Sequence, residues 1–391
     1  MDRAQRRRGG RGAQRGPTAS NRGGGKAAAA PQEEISAWDN AEAESRPPVE
    51  DPASWTGNDE GWSAWAHKNI TPDEYKCGQC VGQGGSAIVY KLLRVADGDV
   101  FAGKVPRGAG SLDKEAKLLR SFNHGHILKL INWHEEKGDD DDESTRTTLL
   151  VTELCAYGTL QARIDTAWSG TTRLDITTAI RQICSAVAYL HSESLFHTDV
   201  KPRNVLLRSV KPLEVVLGDC GDALPIGQKG HVLRGTMHFH SPEMWRHRKH
   251  HGPSDDVWAM GLTLLAMLEQ LPRLFAGEEG QEEKEEKGKE EDGYGMGKGQ
   301  RRRIAKVQAE EVMKRFTERC SKHATDLKRL NPGDGLVLLS THLLAWQWGD
   351  RVTAAEAELE AALLVADELL DDGLGGLKIK APDDFRPVAF W

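Results

Sequence analysis

Hydrophobic and polar positions follow two different patterns along the central part of the chain. Short apolar runs typical of β-strands occur at residues 89–91 and 100–102, and glycine and aspartate turns separate them. Three leucines then share one face of a predicted helix over residues 111–122. Two further strand-like runs flank an acidic loop at 139–143. This first pattern predicts a small, strand-rich unit.

Further along the chain the pattern becomes mainly helical. Periodic apolar positions predict helices over 176–192, 257–271 and 354–370. Strands followed by helices indicate an α+β fold built from two lobes. We assign the small β-rich lobe to residues 71–155 and the larger helical lobe to residues 156–366.

The segments outside this domain differ sharply in composition. Residues 1–30 hold eight Lys and Arg against one Asp, in glycine-rich runs without apolar periodicity. Such a segment cannot bury a core, so we predict a disordered basic tail. The alternative is a tail that contacts the phosphates of nucleic acid; we favour the plain solvated tail.

The remaining segments are acidic or of low complexity. Residues 31–70 form an acidic linker, whose tryptophans either pack on the folded domain or form a peptide docking motif: Trp38, Trp55, Trp62 and Trp65. Residues 277–303 interrupt the second lobe with a run of acids followed by basic residues, which predicts an exposed loop. Residues 367–391 are assigned to a C-terminal tail.

Composition narrows the class of protein. The chain has 391 residues and a formal net charge of −7. Its longest uncharged apolar run, 257–268, is shorter than the roughly 20 residues of a membrane span, so we expect no span. The six cysteines are too sparse for a disulfide framework, and no signal peptide precedes the domain. We expect a monomeric intracellular protein, cytoplasmic or nuclear.

The first candidate for chemistry is a glycine-rich turn between two predicted strands. Gly82, Gly84 and Gly85 would let backbone N–H groups approach phosphate oxygens without a Cβ in the way. A dinucleotide-binding fingerprint requires a helix directly after the loop. Another strand follows here, so that interpretation fails.

Further along, Lys104 on a strand and Glu115 on the next helix have the order of a phosphate-holding lysine and the acid that braces it.

The second candidate is a pair of polar clusters that flank apolar runs. Residues 197–204 contain Asp199 and Asn204, and Asp219 follows the apolar run 215–217. Two carboxylates and an amide at this spacing suit a divalent metal and a general base. Hard oxygen ligands favour Mg²⁺ over Zn²⁺.

Taken in order, these motifs resemble the eukaryotic protein kinase superfamily, serine/threonine type. The resemblance covers roughly residues 75–365. Later landmarks agree: Gly235-Thr236, Ser241-Pro242-Glu243, the stretch 256–261 and Arg351. It implies a bilobal protein kinase fold with ATP and Mg²⁺ as cofactors and protein substrates as partners.

The resemblance also implies a role for each catalytic residue. Asp199 would accept or orient the proton of the substrate hydroxyl, and Lys201 would offset charge on the γ-phosphoryl group. Lys104 would hold the α- and β-phosphates with Glu115 as its brace. The metal ligands would be Asn204 and Asp219. The nucleotide would lie against Val81, Gly82, Gln83, Gly84, Val89, Ala102, Lys104, Leu206 and the hinge region with Thr152, Glu153 and Cys155.

Three positions depart from the family pattern: Ala87 replaces the third loop glycine, Thr198 replaces the Arg before Asp199, and Cys220 replaces the Phe after Asp219. Each affects packing or regulation more than the chemistry. The principal residues of phosphoryl transfer are present, so we expect an active kinase. The alternative is a pseudokinase scaffold that binds partners or nucleotide without transfer.

Lys201 and the Gly-Thr pair resemble kinases that phosphorylate serine and threonine. Thr159 stands where an acid is common in kinases that prefer basic substrates, and a basic patch lies at 246–251, with His238 and His240 nearby. We therefore expect an acidic or neutral substrate preference. The patch itself is expected to be a solvated loop rather than a metal site.

Between Asp219 and Thr236 the chain contains no Ser, Thr or Tyr. The resemblance implies that Thr236 contacts Asp199 and Lys201 through its hydroxyl. Because Thr198 also removes the usual phosphate-binding Arg, we expect this segment to order without phosphorylation.

Finally, Cys77 and Cys80 invite a metal or redox interpretation, but we expect both to be residues of the first strand.

Overall fold

A computed structural model of the chain describes residues 74–107, 111–137, 145–166, 171–227, 233–247, 249–250, 252–273, 298–370, 379–383 and 385. The strands are β1 Tyr75–Gln83, β2 Ala87–Arg94, β3 Val100–Pro106, β4 Leu130–Lys137, β5 Thr145–Glu153, β6 Leu195–Phe196, β7 Val205–Val210, β8 Leu213–Leu217 and β9 Leu224–Pro225. The α-helices are α1 Asp113–Ser121, α2 Leu160–Asp165, α3 Arg173–Ser192, α4 Pro242–His247, α5 Pro253–Met267, α6 Lys298–Leu330, α7 Gly335–Leu343 and α8 Ala354–Leu370. The tail at 1–30 and the linker at 31–70 lie outside the described residues.

The small lobe is an antiparallel sheet with one helix packed on it. Its five strands have the order β1-β2-β3-β5-β4. Helix α1 lies within the predicted range 111–122 and buries Ala116 and Leu119. Its first turn carries Asp113 and Glu115, acids that interact favourably with the positive end of the helix dipole.

The large lobe is built around α5, which is buried along most of its length. The described residues Leu264 and Leu265 have no exposed surface, as expected for an apolar run without a polar face. The helix begins four residues earlier than predicted, because Gly252 and Pro253 provide a helix start. Helix α3 also begins early, at Arg173, because Thr172 and Asp175 form a capping box.

The prediction of a loop up to residue 303 was wrong at its end. Residues 298–303 form the beginning of α6, whereas the acidic part at 277–297 lies outside the described residues. Further along α6, buried side chains recur every three or four residues: Met313, Phe316, Cys320, Ala324 and Leu327. This stripe anchors the helix on the core. Lys and Arg are good helix formers, so the helix extends backwards through the basic residues.

Part of the C-terminal tail contacts α6. Asn331 donates a side-chain hydrogen bond to the carbonyl of Lys380 at 2.9 Å and accepts one from its N–H at 2.9 Å. The ring of Phe385 stacks on His323 with the centroids 4.3 Å apart. Across the described ranges, no helix is both long and apolar enough to span a lipid bilayer.

Candidate active site

The glycine-rich turn joins β1 to β2 at the edge of the interlobe cleft. Gly82 pairs with Val89, and the N–H of Gly84 donates to the carbonyl of Ala87 at 2.9 Å. Ala87 is buried and pairs with Pro106 on β3, so the third loop position belongs to the sheet. Val81 is exposed, as expected of a residue in the wall of an open cleft.

Lys104 on β3 joins two carboxylates from different parts of the chain. Its ammonium lies 2.7 Å from Glu115 on α1 and 2.8 Å from Asp219 after β8. Burial disfavours the charged ammonium, but the two carboxylates outweigh it, and the pKa of Lys104 is raised. Burial likewise opposes ionisation of Asp219, yet the lysine lowers the pKa of this carboxyl. The three predicted residues therefore form one charged cluster.

The backbone at Asp219 aims this carboxylate into the cleft. Asp219 has φ +59° and ψ +52°, a left-handed conformation that short polar residues tolerate better than most. Cys220 is fully buried after it, and a Cβ at Gly221 would stand 3.5 Å from a carboxylate oxygen of Glu115. Cys220 belongs to the same buried apolar cluster as Leu119 of α1.

The loop at 197–204, called the catalytic loop here, and the nearby Thr236 place three predicted residues around Asp199. The ammonium of Lys201 donates to Asp199 Oδ2 at 2.5 Å and to the hydroxyl of Thr236 at 2.6 Å. Asn204 Nδ2 donates to the same carboxylate at 3.1 Å and to its backbone carbonyl at 2.8 Å. Thr236 contacts Asp199 through its backbone N–H, at 2.8 Å, rather than through its hydroxyl.

Asp256, at the start of α5, forms hydrogen bonds with the backbone of this loop. Its carboxylate accepts hydrogen bonds from the backbone N–H groups of His197 at 2.6 Å and Thr198 at 2.9 Å, and it lies 3.0 Å from His191 Nε2. Thr198 has φ +73°, which a β-branched residue adopts only when its surroundings impose it. Sequence reasoning singled out neither the scaffolding role of Asp256 nor this strained backbone.

The hinge residues lie where β5 leaves the small lobe. Thr152 is buried and pairs with Ala102 across the sheet. The Glu153 carboxylate accepts two hydrogen bonds from Arg208 on β7, at 2.7 and 2.8 Å, so it ties the hinge to the large lobe. Burial raises the pKa of the Cys155 thiol to about 12. Leu206 lies on β7 and contacts the region of Gly218.

Two further expectations meet different outcomes. Cys77 and Cys80 both lie on β1, as predicted, the first buried and the second exposed. The patch at 246–251 is not entirely a solvated loop. His250 is 7% exposed, because it faces inward and accepts a hydrogen bond from the N–H of Arg234 at 3.0 Å. His240, placed near the peptide groove, is also buried.

A buried ion pair between Glu243 and Arg351 fixes α4, which follows Thr236 in the chain. Glu243 accepts two hydrogen bonds from the guanidinium of Arg351, one of them at 2.8 Å. The same guanidinium donates to the carbonyls of Ala345 and Ser254, each at 2.9 Å. Arg351 therefore connects α4 with the segment that precedes α8.

Comparison with known proteins identifies the family. A family model described as the protein kinase domain matches residues 75–357. The chain belongs to this family, and the bilobal α+β protein kinase fold expected from the sequence is confirmed.

Individual relatives are distant and longer. The chain is similar to serine/threonine-protein kinase PLK2 of Mus musculus, with 28% identity over 209 residues that cover 51% of this chain and 29% of that protein. It is 31% identical over 213 residues to inactive serine/threonine-protein kinase PLK5 of Mus musculus, covering 52% of this chain and 34% of that protein. The match spans about a third of the length of these relatives.

A solved structure resembles the fold. It is described as a crystal structure of Rad53 1-466 in complex with AMP-PNP, with a TM-score of 0.51 and 23% sequence identity. The likeness covers 74% of this chain and 65% of that chain. At this identity it supports the two-lobed fold and carries no residue roles.

Proposed function

We propose that the chain is an active serine/threonine protein kinase, which transfers the γ-phosphoryl group of ATP to hydroxyl groups of protein substrates. The observation that carries the proposal is the joint arrangement of two clusters. Lys104, Glu115 and Asp219 are in contact, and so are Asp199, Lys201 and Thr236. An arrangement with either cluster dispersed would favour a scaffold.

The geometry suggests how this chain would perform the transfer. The acceptor oxygen attacks the γ-phosphorus, the bond to the β-phosphate oxygen breaks, and ADP leaves. Asp199 is held at both oxygens, by the Thr236 N–H and by Lys201, so its carboxylate is oriented to receive the hydroxyl proton. Lys201 stands beside it to offset charge on the transferred group. Positioning and electrostatics supply most of the acceleration in such reactions.

The donor set near the proposed phosphates fits Mg²⁺. Asn204 and Asp219 offer amide and carboxylate oxygens, which are hard ligands, and Lys104 lies beside Asp219 to bind phosphate. Asn204 and Asp219 would hold the Mg²⁺ ions, which would supply positive charge to offset that of the phosphates. The structural neighbour is described as a complex with AMP-PNP, an observation on that protein that agrees with a nucleotide in this cleft.

A pseudokinase scaffold is the second candidate, because one relative is named inactive. Against it stands the presence of the proposed base, phosphate lysine and metal ligands in this chain. The test is incorporation of labelled γ-phosphate into a generic protein substrate by the wild type and by Asp199→Asn. We expect at least a 100-fold loss in the variant, since general-base catalysis contributes roughly 10²–10⁴-fold.

The controls separate transfer from binding. Nucleotide affinity of Asp199→Asn should stay within twofold of the wild type, because Asp199 has no assigned contact with ATP. Acid hydrolysis of the product should yield phosphoserine and phosphothreonine. Equal, background-level incorporation by both proteins would support the scaffold. Deletion of residues 1–30 tests the nucleic-acid alternative, which requires loss of RNA binding with unchanged transfer.

A further inference from the structure

Arg234 lies two residues before Thr236 and is held by three separate groups. Its backbone N–H donates to Nε2 of His250 at 3.0 Å, and its carbonyl accepts from Nε2 of His240 at 3.0 Å. Its guanidinium donates to Asp222 at 2.7 Å. Both polar backbone groups of one segment residue are therefore bound by histidine side chains.

The two histidines are built into the core rather than presented to solvent. His240 and His250 are 4% and 7% exposed. The Nδ1 atom of His250 lies 3.4 Å from Asp255, whose other carboxylate oxygen accepts a hydrogen bond from Ser241 at 2.7 Å. His240 lies against the ring of Trp245 with centroids 5.2 Å apart.

Hydrogen-bond chemistry fixes the tautomer of each ring. Because an N–H of Arg234 points at His250 Nε2, that nitrogen accepts, and the proton of the neutral ring lies on Nδ1, toward Asp255. Because a carbonyl can only accept, His240 Nε2 must carry a proton. The two rings thus bind the peptide groups on either side of Arg234. His250 accepts from the N–H of the preceding peptide group, and His240 donates to the carbonyl of the following one.

Fixing Arg234 also fixes the contact with the catalytic loop. Gly235 has φ +80°, and a Cβ there would overlap the carbonyl oxygen of Thr198, so the segment passes directly against this loop. The next residue is Thr236, whose N–H binds Asp199 and whose hydroxyl binds Lys201. A displacement of Arg234 would be passed to both contacts.

The contact between Arg234 and Asp222 connects the end of the segment 219–236 to its beginning. The hydroxyl of Thr198 donates to the carbonyl of Asp222 at 3.3 Å, so the residue in place of the usual Arg touches the same turn. The guanidinium and carboxylate of the Arg234–Asp222 pair are each about half exposed, at 49% and 48%. A pair this exposed contributes little by itself. The buried backbone contacts are therefore the main restraint.

We propose that His240 and His250 are positioning residues that clamp the backbone of Arg234 and thereby hold Thr236 against Asp199 and Lys201. The clamp takes the place of a phosphate on the segment. This inference rests on the proposed kinase function and adds its means of regulation: the acceptor site is assembled by the fold itself. The Arg234–Asp222 pair has an auxiliary role.

The central variants differ only in the hydrogen-bonding atom. His250→Leu removes the acceptor, whereas His250→Gln places an amide oxygen near the position of Nε2. We expect kcat/KM for a peptide substrate to fall about tenfold in the Leu variant and to return to within threefold of the wild type in the Gln variant. Affinity for ATP should stay within twofold in both. Arg234→Met, which keeps both backbone contacts, should change kcat/KM less than threefold.

A matched control separates the clamp from general destabilisation. His323 on α6 is as buried as His250, at 7% exposed, and lies outside the segment. His323→Leu should lower stability without changing kcat/KM for the peptide by more than twofold. Similar losses in His323→Leu and His250→Leu would overturn the proposal.

Amide hydrogen exchange provides a readout that does not require activity. We expect the Arg234 and Thr236 amides to be protected in the wild type, to exchange at least tenfold faster in His250→Leu, and to regain protection in His250→Gln. Equal exchange in the wild type and His250→Leu would overturn the clamp, whatever the activity. A wild type that lacks transfer but shows the expected exchange pattern would contradict the proposed function and support the clamp.

Discussion

At the scale of single residues, Lys104 carries the connection between the two lobes. Its ammonium contacts Glu115 in the small lobe and Asp219 in the large lobe, at 2.7 and 2.8 Å. The same atom is proposed to hold the phosphates of ATP. The proposed roles of Lys104 and Asp219 therefore differ although the two residues touch: Lys104 would bind phosphate directly, and Asp219 would act through Mg²⁺.

This difference predicts different responses to magnesium. Lys104→Met and Asp219→Asn should each lower transfer at least 100-fold at low millimolar Mg²⁺. Raising Mg²⁺ tenfold should recover part of the activity of Asp219→Asn, because the lost carboxylate weakens metal binding. It should leave Lys104→Met unchanged, since a phosphate contact is missing there. Initial rates across a Mg²⁺ titration measure both, and identical curves for the two variants would contradict the assigned roles.

The resemblance to protein kinases located these residues, because the motifs of that family follow one another in a fixed order along the chain. Lys104, Asp199, Asn204 and Asp219 could all be placed before the structure was known. The backbone could not be predicted in the same way. Thr198 has a positive φ where its N–H and that of His197 each donate a hydrogen bond to Asp256, which lies 58 residues from Thr198 in sequence, and no local pattern records it.

At the scale of elements, the buried Glu243–Arg351 pair holds α4 against the large lobe. Arg351→Met would leave the Glu243 carboxylate buried without its cation, which typically costs about 3–5 kcal/mol. The double variant Glu243→Leu with Arg351→Met removes both charges, so we expect it to be more stable than the single variant. Urea unfolding measures the free energy of unfolding of the wild type, the single variant and the double variant. Arg329→Met serves as control, because its partner pair with Asp326 is exposed.

Two outcomes would contradict this assignment. The first is a single Arg351→Met variant as stable as the Arg329→Met control. The second is a double variant less stable than the single one. That result would mean that the unpaired Glu243 carboxylate of the single variant does not destabilise the fold. The position of Arg351 at the turn before α8 was predictable, whereas its extra bonds to two backbone carbonyls were not.

The residues in and around α4 also change the prediction about substrates. Two of the histidines assigned to the basic surface, His240 and His250, face inward. Burial lowers the pKa of His238, which disfavours the charged form of that ring. The remaining cations on this surface are exposed residues such as Arg246 and Lys249. A basic surface is therefore present, but it is smaller than the sequence suggested.

We still expect an acidic or neutral substrate preference, now based on these two cations. A peptide library should show no enrichment of Arg before the acceptor and, at low salt, moderate enrichment of Asp and Glu. The double variant Arg246→Ala with Lys249→Ala should reduce the acidic enrichment at least twofold and at most about thirtyfold, because exposed charges contribute about 0.2–1 kcal/mol each. Strong selection of Arg upstream of the acceptor would contradict the expectation.

At the scale of the whole molecule, the order of motifs was enough to predict the fold class. The long-range contacts could be seen only in the structure. The strand-rich and helical halves, and the helices near 176–192 and 354–370, follow from local periodicity. The helical nature of 298–303 does not, because a basic low-complexity stretch has no apolar pattern of its own. It is helical by continuation from the buried stripe of α6.

The assembled state of the two lobes leads to the final prediction. Lys104 contacts Glu115 and Asp219, and the N–H of Thr236 contacts Asp199. Between Asp219 and Thr236 there is no hydroxyl to phosphorylate, and Thr198 provides no cation to receive a phosphate. We therefore expect activity without an upstream kinase acting on this segment. Control would then involve the flanks at 31–66 or 367–391, or the amount of protein.

The experiment is to produce the chain together with a phosphatase and to establish by intact mass spectrometry that it carries no phosphate. Initial rates of substrate phosphorylation should be linear from the first seconds and within twofold of those of protein made without the phosphatase. Asp199→Asn, prepared in the same way, controls for contaminating kinases. A long lag would contradict the prediction, because it would indicate self-activation by phosphorylation. Activity that appears only after a second kinase modifies residues 222–241 would contradict it as well, since the segment would then require the phosphate that its sequence lacks the means to bind.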